Sequence, residues 1–369
     1  MVSKNTSSIR LLLRNTANLI NIWWARYRRK CPRTLSTLLL FITYRCNLKC
    51  AICGVRDQPR GRELELADYE AILDSASKLG TSLMLISGGE ALAREDLVYE
   101  IIRRGNERCI SAHLCTNGLL VTEEKAAKLQ ECGLSSVSIS MESADKEVHE
   151  RIRGKGSFDQ ALSAVRLFRE YAPKVHVGIN CTVTALNFRG LENLVDLCAS
   201  LGVHQLKFAP VHTNLLHGEK PAAEFAPLLL TDTEIEELEG ELTRVRARLR
   251  KSRMLTNHPV YSKHLAASLQ APQQFSCYAG YASCTIDPFG RVSPCPDIQG
   301  GLSIREQSLE TLWRGETFQE LREKVCGCGN KCWDPLYTEL SLIVEPGNLW
   351  VTLWQQLRNA RFYFGFPTR

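Results

Sequence analysis

The chain lacks any apolar run able to cross a bilayer. Its apolar stretch near the start, Ile9 to Lys30, is broken by Arg10, Arg14 and Arg26, whereas a spanning helix needs about 20 consecutive apolar residues. A secretory signal is not expected in the same place, because Arg10 and Arg14 interrupt the apolar core that such a signal requires and no small-residue cleavage site follows. Strong charge of one sign is missing too: +6 over 369 residues, partly gathered at the N-terminus, gives no reason to expect a nucleic-acid partner. Hydrophobic side chains are not scarce. With 44% apolar and 23% charged residues the chain is globular, long enough for about two domains. Cysteine is abundant. Fifteen thiols in a long chain without a secretory signal, falling in clusters, point to metal binding in a reducing cytoplasm rather than to disulfides.

The tightest cluster is the run from Tyr44 to Gly54, which sets Cys46, Cys50 and Cys53 in the spacing CxxxCxxC directly after the apolar run Leu38 to Ile42. That run reads as a buried strand. A fourth ligand is absent nearby, since the next cysteine is Cys109, and a structural zinc wants four. Three thiolates on one short loop can instead grip three irons of a [4Fe-4S] cube and leave the last iron open to an outside ligand. A zinc knuckle or a non-catalytic iron-sulfur protein is the competing reading.

CxxxCxxC after a first strand resembles the radical S-adenosylmethionine (radical SAM) enzymes. The resemblance implies that Cys46, Cys50 and Cys53 hold the cluster, that its open iron binds the amino and carboxylate groups of SAM, and that reductive cleavage gives a 5′-deoxyadenosyl radical that abstracts hydrogen from a substrate. Arg45 and Lys49 are expected close enough to tune the cluster's charge. Ile52 stands where the family often has an aromatic residue.

From Leu38 onward short apolar runs at Leu83 to Ile86, Ala112 to Cys115, Ser136 to Ile139, Val175 to Cys181 and Gln205 to Phe208 alternate with helical stretches. The helices are expected at Leu66 to Leu79, Asp96 to Arg104, Thr122 to Glu131, Ser157 to Tyr171 and Leu191 to Leu201, the third capped by Thr122. This βα alternation means an α/β fold with a parallel sheet. Pattern alone leaves a partial barrel and a doubly wound sheet both open; the resemblance implies a partial (β/α)6 TIM-like barrel over residues 37–255. In either case the site belongs at the C-terminal ends of the strands.

Each strand end carries a motif. Ser87-Gly88-Gly89-Glu90 follows the second strand, and paired glycines let backbone approach a ligand closely. The resemblance implies that Gly88, Gly89 and Glu90 meet the SAM amino group. Cys115-Thr116-Asn117-Gly118 is similar to the family's TNG, with Asn117 and Gly118 equally readable as a turn. Ser138 to Ser143 and Val148 to Gly154 resemble its SxDG strand end and RIRG run, which implies that Ser140 and Arg153 hold the ribose and carboxylate of SAM. Here Glu142-Ser143 replaces Asp-Gly. His149 reads as an exposed helix residue. The resemblance also implies that Asn180 matches a polar position facing SAM and that Phe208-Ala209 would lie near adenine.

Leu215 to Pro227 reads as a loop, a candidate lid over the barrel mouth. Thr231 to Lys251 reads as a long helix with acids early and arginines late, matched to its dipole. A second cysteine group follows: Cys277, Cys295 and then Cys326-Gly327-Cys328-Gly329-Asn330-Lys331-Cys332, with Ile286 to Val292 forming a hairpin turned at Pro288 to Gly290. It resembles the auxiliary-cluster SPASM and twitch domains, the shorter twitch form in particular, over residues 270–340. The resemblance implies an auxiliary [4Fe-4S] cluster on Cys277, Cys295, Cys332 and Cys328, with Cys326 or Cys284 as rival fourth ligand and a zinc ribbon as the alternative occupant.

Residues 1–36 read as a basic amphipathic helix carrying Trp23 and Trp24, and 341–369 as an aromatic and basic tail with Trp350, Trp354, Arg358 and Arg361. Both pack inward in the plain reading; in the other they form a surface on anionic lipid. The stretch before the first strand is too short for an independently folded leader-binding domain. The expected substrate is a peptide or other large molecule, oxidised or cross-linked, with a lipid-linked or small molecule met at the membrane surface as the rival. Flavodoxin or ferredoxin is the expected electron donor.

Overall fold

Eight strands form one sheet: β1 (Thr37–Phe41), β2 (Leu83–Ser87), β3 (Ser111–Thr116), β4 (Ser136–Ser140), β5 (His176–Val183), β6 (Gln205–Pro210), β7 (Ser283–Ile286) and β8 (Val292–Ser293). The computed structural model describes residues 18–58, 60–212, 222–271, 275–329 and 332–355. The strand order is β6-β5-β4-β3-β2-β1-β7-β8. Every neighbour from β6 to β7 is parallel, and only β8 runs against its partner. The sheet does not close: β6 and β8 are its outermost strands.

Side-chain alternation separates a barrel from a doubly wound sheet. Leu38, Leu40, Met84, Ile86, Ala112, Leu114, Val137, Ile139, Val177 and Ile179 point to one side and join the main core with helix residues such as Leu73, Ile101, Leu129, Phe168 and Leu194. The alternate positions, including Leu39, Phe41, Leu85, Ser87, Cys115, Ser138 and Asn180, line a cavity. A doubly wound sheet carries helices on both faces; here one face has the helices and the other a lumen. The fold is a partial TIM-like barrel. Each fully buried aliphatic of its outer layer contributes about 1.5–3 kcal/mol.

The expected helices are found at Leu66–Lys78, Glu95–Glu107, Glu123–Glu131, Ser157–Tyr171, Leu191–Ser200 and Asp232–Ser252. Thr122 caps the third by accepting from the Lys125 amide, and Thr231 with Glu234 forms a capping box on the last. A further short helix, Lys146–Arg153, starts because Asp145 accepts from the amides of Glu147 and Val148.

The hairpin of the second cysteine region joins the barrel sheet. β7 pairs with β1, matching Leu38 with Cys284 and Leu39 with Thr285, and so extends the barrel sheet. At the N-terminus residues 18–27 are helical, with Ile22 and Ala25 buried against Tyr278, Tyr281 and Val344. The helix packs inward, as the plain reading expects, yet leaves Ile20, Trp24 and Tyr27 exposed. Residues 215–221 of the expected lid lie outside the described residues, as do 1–17 and 356–369.

Candidate functional site

The cysteine loop leaves β1 and is stitched to the loop after β2 by backbone. The Gly89 amide donates to the Thr43 carbonyl at 2.7 Å and the Glu90 amide to the Arg45 carbonyl at 2.9 Å. A Cβ on Gly88 would sit 2.4 Å from the Thr43 oxygen, and one on Gly89 2.3 Å from the Arg45 oxygen. Gly88 also holds a φ of +139°. The close approach that glycine permits is therefore made to the cysteine loop itself.

On the far side the Ala51 amide donates to the Ile152 carbonyl at 2.8 Å, tying the loop to the end of the Lys146–Arg153 helix. The three thiols are half-buried. Burial pushes Cys46 up, with the Leu48 amide opposing it, and pushes Cys50 up to about 11 against the pull of Arg153. Each of Cys46 and Cys50 feels Cys53, so the three form one group. Half-buried thiols of this kind become thiolates when a cation sits among them, and three sulfurs on one loop suit an iron cluster with an open corner. Arg45 and Lys49 adjoin Cys46 and Cys50 in the chain. The Arg45 guanidinium pairs with Glu63 at 2.7 Å, and Lys49 is exposed. The nearby cation is Arg153, whose Nη1 lies 3.8 Å from the Cys50 sulfur.

The loops after β2 and β3 are locked by one carboxylate. Glu90 is fully buried; Oε1 accepts from the Leu92 amide and the Thr116 hydroxyl, and Oε2 accepts from the Asn117 amide at 2.9 Å. Burial pushes its pKa up, and these three donors pull it back. Asn117 donates from Nδ2 to Asn47 at 2.7 Å and accepts from the Leu119 amide, so it clasps the cysteine loop. Both side chains are taken up by protein partners.

Ser140 and Asn180 are register partners on β4 and β5. Arg153, expected to hold a carboxylate, is itself held by Glu142, with Nε 2.7 Å and Nη2 2.6 Å from Oε1. Glu142 is fully buried and also accepts from the Thr182 amide at 2.5 Å. The residue that departs from the family pattern is thus the anchor joining β4, β5 and the Lys146–Arg153 helix. His149 is a correction as well: it is fully buried, and its Nδ1 accepts from the Glu142 amide at 3.2 Å. It lies on the helix face that packs under the same anchor.

Within the barrel lies a cavity of about 610 Å³ whose lining includes Cys53, Gly88, Asn180, Lys207, Asp334 and Tyr337. Lys207 reaches Glu339, on the helix Pro335–Val344, at 2.5 Å. Glu339 is further held by the Asn257 side chain and the His258 amide. Neither Lys207 nor Tyr337 was expected from the sequence. The signal for Lys207 was its place between Leu206 and Phe208, the inward slot of an alternating strand.

A second cavity, about 380 Å³, is lined by Cys277, Cys295, Cys326, Cys328 and Cys332 with Arg26 and Tyr337. Burial pushes Cys277 up to about 11 and Cys295 up to about 12, and raises Cys332. Cys277 feels Cys328, and Cys332 feels Cys277 and Cys295, whereas the Cys326 sulfur lies 3.6 Å from the Tyr281 hydroxyl. Cys284 is excluded as a ligand: it sits on β7, fully buried in the main core. Tyr337 lines both cavities, so the second cysteine group lies beside the lumen.

A family model described as the radical SAM superfamily matches residues 40–198, and one described as an iron-sulfur cluster-binding domain matches residues 277–334. The chain is 30% identical over 296 residues to the mycofactocin maturase MftC of Mycolicibacterium smegmatis, covering 76% of this chain and 71% of that one. It is 27% identical over 339 residues to an AdoMet-dependent heme synthase of Methanosarcina barkeri, covering 83% and 95%. With a PqqA peptide cyclase of Granulibacter bethesdensis it shares 27% over 296 residues, covering 77% and 75%. Among solved structures, Streptococcus suis SuiB bound to SAM superposes with a TM-score of 0.65 at 17% identity, covering 94% of this chain and 81% of that one. A likeness at that identity shows the shared fold.

Proposed function

This chain belongs to the radical SAM superfamily, and from that premise we propose that it performs an oxidative or bond-forming modification of a peptide held in the lumen between its two iron-sulfur sites. It is an enzyme of the radical SAM class, with a SAM-binding [4Fe-4S] cluster and an auxiliary iron-sulfur cluster. When bound, the first cluster and SAM supply a 5′-deoxyadenosyl radical able to take a hydrogen atom from a substrate.

The observation that carries the reading is the lumen cavity, which runs from Cys53 and Gly88 at the cysteine loop to Asp334 and Tyr337 beside the auxiliary cysteines. A substrate in that space lies within reach of both sites, one to start a radical and one to accept an electron or anchor the substrate. Cys46, Cys50 and Cys53 hold the first cluster, and Cys277, Cys295, Cys328 and Cys332 the second. The Gly88-Gly89 backbone, Ser140 and Asn180 line the SAM side. Glu142 keeps Arg153 aimed at Cys50, where a donor beside the sulfur favours the more negative, reduced cluster. Glu90 and Asn117 hold the walls in register. The reductant is a small electron-transfer protein such as flavodoxin or ferredoxin, and the compartment is the cytoplasm.

Peptide modification draws support from the relatives named as a mycofactocin maturase and a PqqA peptide cyclase. A small-molecule substrate is the second reading, favoured by the heme synthase that matches over more of its length. The test is anaerobic turnover with dithionite, SAM and a panel of synthetic peptides, including any encoded beside this gene, read as 5′-deoxyadenosine and as loss of peptide hydrogens by mass. Turnover with a porphyrin carboxylate and none with any peptide would overturn the first reading in favour of the second.

A further inference from the structure

Two helices at the ends of the described chain carry large apolar side chains in water. On residues 18–27, Ile20, Trp24 and Tyr27 recur at helical spacing and are 61%, 48% and 69% exposed. On residues 349–355, Leu349 and Trp350 are 51% and 82% exposed. Both flank the helix Pro335–Val344: Leu340 and Val344 share an apolar cluster with Ile22 and Trp23, while Thr352 lies 3.3 Å from His258, next to the Glu339 contact. Exposed tryptophans are uncommon on a soluble surface, and such side chains on two helices mark something to be covered.

The charge beside them says what covers them. The first acidic residue of the chain is Asp57, and eleven lysines and arginines precede it. After Glu345 there is again no acidic residue, and three arginines follow. Residues 57–345 carry a net negative charge, so the positive charge of the protein belongs to its two ends. Arg28, Arg29, Lys30 and Arg33 are exposed directly after the aromatic stripe, with the Arg28 guanidinium 5.6 Å from the Trp24 ring. Aromatic rings with a basic rim are the composition of a helix lying in the plane of an anionic bilayer surface, the rings at headgroup depth and the cations on lipid phosphates. No helix of the described residues is long and apolar enough to cross the membrane. We propose that the outer faces of helix 18–27 and helix 349–355 seat this enzyme on an anionic membrane surface, with Trp24, Tyr27 and Trp350 inserted and Arg28 to Arg33 on the headgroups.

The seating is independent of which substrate the lumen takes. It is tested on the full, cluster-loaded chain by anaerobic co-sedimentation with vesicles of phosphatidylcholine and phosphatidylglycerol, and with phosphatidylcholine alone. The wild type is expected to bind the anionic vesicles, less at high salt, and to bind neutral vesicles weakly. Trp24→Ser with Trp350→Ser should weaken binding by roughly 10-fold or more. Arg28→Gln with Arg29→Gln and Lys30→Gln should weaken it by roughly 100-fold, with the salt dependence reduced. Iron content and SAM cleavage should stay at wild-type levels in both. No binding to anionic vesicles would overturn the proposal, as would binding that both sets of substitutions leave unchanged. Salt-sensitive capture of flavodoxin that the same substitutions abolish, without vesicle binding, would also overturn it and assign the patch to an acidic protein.

Discussion

The two cysteine sites of this enzyme are assembled in opposite ways. Cys46, Cys50 and Cys53 lie within one short loop, and the barrel serves to brace that loop: two glycines on one side, the Ile152 carbonyl and Arg153 on the other. Cys277, Cys295, Cys328 and Cys332 are scattered over a long stretch and meet because β7 joins β1 and the helix Pro335–Val344 folds over the lumen. The first site is local chemistry supported by tertiary contacts, and the second exists only through them. Damage to packing should therefore loosen the auxiliary site before the loop.

The largest expected effect is at the loop. Replacing Cys46, Cys50 and Cys53 with Ala should reduce 5′-deoxyadenosine formation to the background of SAM without enzyme while leaving the iron of the auxiliary site in place; iron analysis beside product chromatography checks both halves. Undiminished product would sink the assignment.

Next comes the anchor beneath the loop. Glu142→Gln leaves the Arg153 guanidinium buried without its counter-charge, an arrangement that costs about 3–5 kcal/mol. Glu142→Leu combined with Arg153→Met removes both charges and should regain most of that loss in denaturant unfolding. If the double variant is as unstable as the single, the pair is not the anchor.

Ligand choice sharpens the other side of the contrast. Cys328→Ala should lose the auxiliary iron, Cys326→Ala should keep most of it, and Cys284→Ala should keep all of it, since that thiol faces the core. Retention of auxiliary iron in Cys328→Ala with loss in Cys326→Ala would reverse the assignment.

A Cβ at position 89 meets backbone, which cannot swing aside. Gly89→Ala should cost about 1–3 kcal/mol and raise the KM for SAM more than it lowers kcat. An unchanged KM would mean that the glycine pair braces the loop without shaping the SAM wall.

The smallest effect is on pH dependence. The His149 imidazole is pushed down to about 3 by burial and by the neighbouring Arg153, whereas the unfolded ring takes a proton below about 6.5. Between those values the unfolded state binds more protons, so stability is full above about 6.5 and falls as the pH drops toward 3. The slope from this group is at most about 1.4 kcal/mol per pH unit. His149→Gln should flatten the stability profile between pH 6.5 and 5 relative to wild type, measured by urea midpoints.

By itself the sequence determined whatever depends on near neighbours. The CxxxCxxC loop needs no distant partner to set its spacing, and the strand and helix periods of residues 38–201 follow from alternation and capping, so both were legible. Tertiary structure alone decided the lumen. Curling the sheet turned one face of each strand inward, which put Lys207 and Tyr337 on a shared cavity and β7 beside β1. It also decided where charge is neutralised: Glu142 reads as a deviation in the chain and becomes, once buried, the partner that the Arg153 guanidinium requires. Cys284 and Cys328 both stand in the sequence as candidates for a fourth ligand, and the fold sets Cys284 in the core and Cys328 on the second cavity. The physical reason is range. Periodicity and spacing act over a few residues, whereas burial, ion pairing and the meeting of thiols depend on which distant segments the fold brings together.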